Sequence, residues 1–228
     1  MVWLRWVAIG LLVALALWFE RSDTPNNEPD LASVKPFKTL ENYEQARRVF
    51  WRELYPGAFT TLYCGERRAS REVPNINIEH VFPMGWVTHA LDCGTRTQCR
   101  ASTPFNHIEA DLHNLFPTRT AVNKARGSFR FGVVTGEKRT FGQHCDFEVD
   151  RSARHVEPRP DVRGDIARAM LYMQSQYGHL GLKIYRDQEA LLRQWHKADP
   201  PDAQERARND AIESIQGNRN SWIDASSS

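Results

Sequence analysis

Residues 111–132 read DLHNLFPTRTAVNKARGSFRFG. Leu112 to Pro117 is a short extended run, and Arg119 to Arg126 predicts a helix that Gly127 terminates. Leu112, Leu115, Phe116, Val122, Phe129 and Phe131 give an apolar framework on which polar groups recur. Asn123 falls on the predicted helix, with Arg126 nearly one turn later. Upstream, residues 75–83 read NINIEHVFP and put Glu79 beside His80. Neighbours on a strand point to opposite faces, so both can serve one site only where the strand bends or ends. Pro83 soon afterwards predicts such an end. Taken alone, a Glu-His pair is more often a surface ion pair or a hydrogen-bonded core histidine.

Working outward, Glu41 to Leu54 has near-helical apolar spacing at Tyr43, Ala46, Val49, Phe50 and Leu54, and Pro56-Gly57 ends it. Tyr63 to Phe82 reads as short extended runs with turns. Thr88 to Phe105 shows no defensible period and reads as a loop pinned by a disulfide. Gly164 to Tyr177 puts Ile166, Ala169, Met170, Met173 and Tyr177 on one face, the clearest amphipathic helix in the chain. Ala190 to His196 starts another helix, Ala203 to Ile215 a further one, and Gln216 to Ile223 reads as an irregular tail. The mixture is α+β, in one continuous domain without internal repeats.

The chain has 228 residues, 41% hydrophobic and 25% charged, with seven Trp, eleven Phe and six Tyr. That composition supports a packed core and excludes a disordered, collagen-like or multi-span membrane chain. A net charge of +2 does not by itself announce a nucleic-acid binder. The bias to 24 Arg over six Lys suits phosphate contacts, and a GC-rich coding sequence produces the same bias.

At the N-terminus, Arg5 precedes an apolar run from Trp6 to Phe19. Fourteen residues are short of the roughly 20 that span a bilayer and fit a secretory signal. Residues 1–22 are therefore expected to be a signal peptide or, if uncleaved, a membrane anchor. Residues 23–39 form a linker, 40–224 the folded domain and 225–228 a tail. Export to the periplasm or medium agrees with four cysteines, an even number that reads as two disulfides. Of three possible pairings, Cys93 with Cys99 closes a short loop and leaves Cys64 with Cys145.

Phosphodiester hydrolysis needs a general base, a cation for the charge developing on phosphate oxygens, and hard oxygen ligands for that cation. His80 can be the base, and Glu79 and the side-chain oxygen of Asn123 suit Mg2+, which takes few protein ligands. Residues 96–130 also carry six cations against two acids, a local excess of four in a near-neutral chain.

Glu79-His80-Val81-x-Pro83, Glu109-x-Asp111-Leu112-His113-Asn114-Leu115-x-Pro117 and Val122-Asn123-x-x-Arg126 together resemble the bacterial endonuclease I family. The likeness runs on through Phe141-Gly142, Cys145, Ala167-Arg168, Tyr172-Met173 and Gln216-Gly217-Asn218-Arg219-Asn220, covering about residues 40–224. It implies an α+β fold around a ββα-metal (His-Me) finger and an exported, sequence-nonspecific, Mg2+-dependent endonuclease leaving 5′-phosphate ends. DNA and RNA are both admitted as substrates, and no stable protein partner is evident.

By the same resemblance, His80 takes the proton from the attacking water, and Glu79 and Asn123 hold one Mg2+, with Mn2+ or Ca2+ as alternative occupants. Arg96 holds the phosphate next to the cut. Glu109 supports the metal's water shell or the arginine. Arg126, Lys124 and Arg130 are the expected substrate contacts, with a solvated face as the alternative for Lys124 and Arg130. His113 and Asn114 are expected to bond within the finger, and the tail from Gln216 to Asn220 to pack and cap near the site. The competing reading is an exported DNA-binding module whose finger no longer cuts.

Overall fold

The computed structural model describes residues 40–71, 74–136 and 138–224, so the expected signal segment, linker and tail lie outside the described residues. Helix α1 (Tyr43–Val49) starts at Asn42, whose side chain accepts from Gln45 N, and loosens into a π turn over Phe50–Leu54. Two short strands, β1 (Phe59–Thr60) and β2 (Arg67–Arg68), pair antiparallel. Strand β3 (Ile76–His80) follows. Helices α2 (Met84–Ala90), α3 (Arg96–Cys99) and α4 (Thr103–Ala110) then fill the region expected to be a loop. None is long enough to show a helical period, but their caps are written in the sequence. Thr95 and Gln98 form a capping box, and Ser102 caps α4 ahead of Pro104.

Leu112–Asn114 is a 3-10 turn capped by Asp111 rather than strand, because the Asp111 side chain accepts from His113 N. Strand β4 (Leu115–Arg119) begins only after it and pairs antiparallel with β3, Glu79 opposite Phe116 and His80 opposite Leu115. Helix α5 (Thr120–Arg126) leads straight off β4 and packs across both strands. It stops at Gly127, whose φ of +51° is a backbone geometry that residues with a Cβ rarely adopt. After α5 comes a three-stranded sheet: β5 (Arg130–Phe131) runs parallel to β7 (His155–Pro158), which also pairs antiparallel with β6 (Phe147–Asp150).

Helix α6 (Arg163–Tyr177) packs most heavily on α7 (Arg186–Ala198). The expected apolar face of α6 is buried, but so are Ala167, Arg168, Leu171 and Tyr172 on its other sides. It is a central helix enclosed all round, not a surface helix with one wet face. Its buried Arg168 is neutralised by Glu205 on α8 (Ala203–Gln216) and donates to Asp199 O at 2.6 Å. The tail read as irregular ends in a helical turn, α9 (Ser221–Asp224).

Two polar clamps give β3–β4–α5 its shape. Asn114 accepts from Phe82 N at 2.6 Å and donates to Phe82 O at 3.0 Å, which turns the chain as soon as β3 ends at His80. Arg126, expected at the substrate, is instead 1% exposed. Its guanidinium donates to the carbonyls of His80 (3.1 Å), Val81 (2.5 Å) and Gly127 (3.3 Å) and lies 3.2 Å from Glu79 Oε1. Phe131 covers it at 4.8 Å. A side chain so enclosed cannot reach a phosphate; it replaces backbone partners that β3 lacks beyond its last paired residue.

The turn before β4 is fixed from the other end of the chain. Asp111, fully buried, accepts from Tyr172 and Tyr177 hydroxyls (2.8 Å each), from Gln216 Nε2 (2.9 Å) and from His113 N (3.0 Å). His113 Nε2 faces Asn218 O at 3.1 Å. His113 and Asn114 thus bond within the fold. Gln216 and Asn218 close the Asp111 turn and are absent from the cleft described below.

The disulfides are Cys64–Cys145 and Cys93–Cys99. Chain-entropy reasoning makes the first, across 81 residues, worth roughly 4–5 kcal/mol and the second, across 6, about 2 kcal/mol. Replacing Cys64 and Cys145 by Ser should lower the urea midpoint clearly more than replacing Cys93 and Cys99; equal losses would contradict loop closure as the cause. Arg126→Met should cost about 3–5 kcal/mol, because it strands a buried carboxylate and the buried carbonyls of His80 and Val81. A melting temperature within about 2 °C of wild type would refute the bracing role.

Candidate active site

A cleft of about 1000 Å³ opens where β3, α5, α1 and α3 meet. Glu79, His80 and Asn77 reach it from β3, Asn123 and Lys124 from α5, Tyr43 and Arg47 from α1, and Arg96 from α3. Glu79 and His80 can share it, although adjacent, because β3 ends between them and the Asn114 clamp.

His80 is nearly buried, and its Nε2 lies 3.0 Å from the backbone oxygen of Glu109. A carbonyl can only accept, so Nε2 carries the ring proton and Nδ1 keeps a lone pair. Burial first, and then the Arg96 charge, hold the His80 pKa down at about 3, so the imidazole is neutral at working pH. The ring packs on Tyr43 with centroids 5.1 Å apart.

Glu79 is 2% exposed. Its Oε1 accepts from Tyr63 Oη at 2.7 Å and faces Arg126, while Oε2 takes no donor among the described residues. Burial pushes its pKa up to about 7, with Arg126 and the Tyr63 bond pulling the other way. Asn123 donates through Nδ2 to Ile78 O at 3.0 Å and to Asn77 Oδ1 at 3.1 Å. The Ile78 carbonyl fixes the orientation of that amide and leaves Asn123 Oδ1 without a donor among the described residues. Two hard oxygens, Glu79 Oε2 and Asn123 Oδ1, are thus left over at one cleft. That donor set fits a cation that keeps most of its water. Among the described residues no cluster of three or more His, Cys, Asp or Glu could cage a metal.

Arg96 is 46% exposed, and its Nε donates at 2.5 Å to Glu109 Oε1, itself 2% exposed. Its guanidinium lies 5.6 Å from the Tyr43 ring centre. Glu109 does not line the cleft; its carboxylate orients the arginine and its backbone oxygen orients His80. Of the two supporting roles expected for Glu109, the geometry favours the arginine over a metal's water shell.

Arg47, Arg71, Arg96, Arg100 and Lys124 line the cleft, and Glu79 is the only acidic residue among its described lining. Such a surface attracts polyanions. Arg130 is elsewhere, paired with Asp187 at 3.0 Å outside the cleft lining. Sequence reasoning missed Tyr43, Tyr63, Asn77, Arg47 and Arg71. Asn77 was within reach, since it shares the strand face of Glu79 two residues away. Tyr43 falls on the apolar spacing of the helix expected over residues 41–54, which marks no role at a site, and nothing local marks Tyr63 as a partner of Glu79.

Residues 19–227 match the family model for Endonuclease I. The chain is 42% identical over 161 residues to an extracellular deoxyribonuclease of Aeromonas hydrophila, covering 69% of this chain and 66% of that one. A periplasmic deoxyribonuclease of the same organism is 38% identical over 167 residues, with 71% and 69% covered. An extracellular ribonuclease of Bacillus subtilis is 32% identical over 189 residues, with 74% of this chain and 59% of that one covered. The alignments thus span about two thirds of the length of the Aeromonas proteins and less of the Bacillus one. With a family match running almost end to end, this chain belongs to the endonuclease I family.

Proposed function

We propose that residues 40–224 form an exported, Mg2+-dependent endonuclease that hydrolyses phosphodiester bonds of DNA and RNA without sequence preference, leaving 5′-phosphate ends. The β3–β4–α5 unit serves as its ββα-metal finger. The observation that carries this reading is a neutral His80, proton locked on Nε2 by Glu109 O, sharing a cleft with Glu79, Asn123 and Arg96. The relatives named as extracellular and periplasmic deoxyribonucleases and as an extracellular ribonuclease support export and both substrates. Among the described residues no helix is long and apolar enough to cross a membrane.

His80 Nδ1 accepts the proton of the attacking water. Glu109 O accepts from the opposite edge of the ring and favours the imidazolium that forms. Arg96, aimed by Glu109, holds a non-bridging phosphate oxygen as charge builds there. Glu79 Oε2 and Asn123 Oδ1 would hold the Mg2+, which supplies charge neutralisation at the phosphate and the departing 3′ oxygen. Lys124 and the cleft arginines contact phosphates, which carry no base information, so little sequence preference follows.

Full-length oxidised protein should nick and degrade supercoiled plasmid in Mg2+ and lose this activity in excess chelator. His80→Ala should lower kcat by about 10²–10⁴ while retaining DNA binding. Cutting that survives either change would sink the assignment, and plasmid retarded but intact with wild type would favour the binding module. Arg96→Ala and Glu109→Gln should each reduce kcat/KM by roughly 10–100-fold, and their double variant by little more than either, since they remove one unit. Multiplied losses in the double variant would show that Glu109 acts apart from Arg96. Loss of the Cys93–Cys99 bridge frees the segment bearing Arg96, and should cost more in activity than its small stability effect explains.

A further inference from the structure

Beside the cleft is a second cavity, of about 250 Å³, lined by Trp86, Ser128, Arg130, Ala153, Arg154 and Tyr185. Tyr185 is 54% exposed, one of two large hydrophobic side chains exposed among the described residues. Its ring is nevertheless held. Trp86 meets it edge-on at 5.3 Å, and the Arg130 guanidinium lies 5.1 Å from its centre. Trp86 is fixed in turn by donating from Nε1 to Ser128 O at 3.1 Å.

Arg130 N donates to Arg154 O at 3.1 Å, which keeps the two arginines at neighbouring backbone positions. Arg154 has φ +56°, a left-handed conformation that side-chain-bearing residues rarely adopt. Its guanidinium lies 5.3 Å from the Phe129 ring and has no acidic partner among the described residues. The ledge adjoins the catalytic cleft, because Ser128 lines both and Gly85 of the cleft precedes Trp86.

A fixed, exposed aromatic ring flanked by guanidinium groups has the chemistry that unpaired nucleotides require: a stacking surface for the base and cations for the phosphates. A paired duplex hides its base faces, so it has no use for the ring. We propose that the Tyr185–Arg154 ledge is a second nucleic-acid subsite, which stacks an unpaired base of a strand extending out of the cleft. This rests on the nuclease reading above. It gives Arg130, whose charge Asp187 balances, a supporting role outside the cleft as the side chain that holds Tyr185, and leaves Arg154 as the cation for a phosphate.

The test is fluorescence anisotropy of full-length protein in excess chelator, titrated into a labelled 16-nucleotide single strand and into a labelled tetranucleotide. Tyr185→Ala should weaken the 16-mer about five- to a hundredfold, the range of one base–aromatic stack, with Tyr185→Phe close to wild type. Tetranucleotide affinity, set in the cleft, should stay within twofold. Arg154→Ala should instead flatten the salt dependence of 16-mer binding by about 0.7 in logarithmic slope, the loss of one phosphate contact on a single strand. An unchanged 16-mer affinity in Tyr185→Ala, or an equal loss on both oligonucleotides, overturns the ledge while leaving the nuclease reading intact. Wild type that binds neither oligonucleotide and cuts no plasmid overturns both together.

Discussion

The site depends on one buried cation. Arg126 sits where β3 has run out of strand partners, and its guanidinium supplies donors to the carbonyls of His80 and Val81. Without it, the backbone at His80 and Val81 would leave two acceptors buried and unpaired. The same guanidinium lies against Glu79 Oε1, so it helps keep charge on a carboxylate that burial alone would protonate. Tyr63 Oη donates to that same oxygen, while Oε2 takes no donor among the described residues. A structural ion pair and a tyrosine hydroxyl thus engage one oxygen of Glu79 and leave the other without a donor among the described residues.

Glu109 organises the opposite wall with equal economy. One residue bonds His80 through its main chain and Arg96 through its side chain. His80 and Arg96 are thereby held to a common reference point, and Tyr43 packs near both. Groups from elements as far apart in sequence as α1 and α5 need such shared supports if a reacting phosphate is to meet all of them in register.

Much of this was legible in the sequence, and what was not follows a pattern. Periodic apolar residues mark α1 with its π turn and α6 in the sequence, and Gly127 marks the end of α5. The short helices α2, α3 and α4 are not so marked, because four to eight residues cannot establish a period. Their evidence lies in caps such as Thr95 and Ser102. The β6–β7 hairpin also went unread. At the site, the cluster of Glu79, His80, Arg96, Asn123 and Lys124 in one cleft was expected from spaced motifs. Arg126 was expected at the substrate as part of the Val122-Asn123-x-x-Arg126 motif, but it is buried against carbonyls. Only the fold reveals that its neighbours are carbonyls. Arg130 is close to Arg126 in sequence, yet α5 ends between them and the chain turns away, so it pairs with Asp187 outside the cleft lining.

The Asp111 knot has a consequence for the order in which the molecule is made. A ribosome releases the strand pair and α5 early, but the Asp111 carboxylate gains its Gln216 donor only from a residue 105 positions downstream. Leu112 N likewise waits for Gln216 Oε1, and His113 for the backbone of Asn218. Until those residues emerge, the turn that launches β4 has a buried charge short of a partner, and the strand bearing Glu79 and His80 pairs with an unfinished neighbour. Completion of the β3–β4 pair is therefore tied to a segment synthesised about a hundred residues later, so a nascent chain that has not reached Gln216 and Asn218 would carry Glu79 and His80 without the support that aligns them.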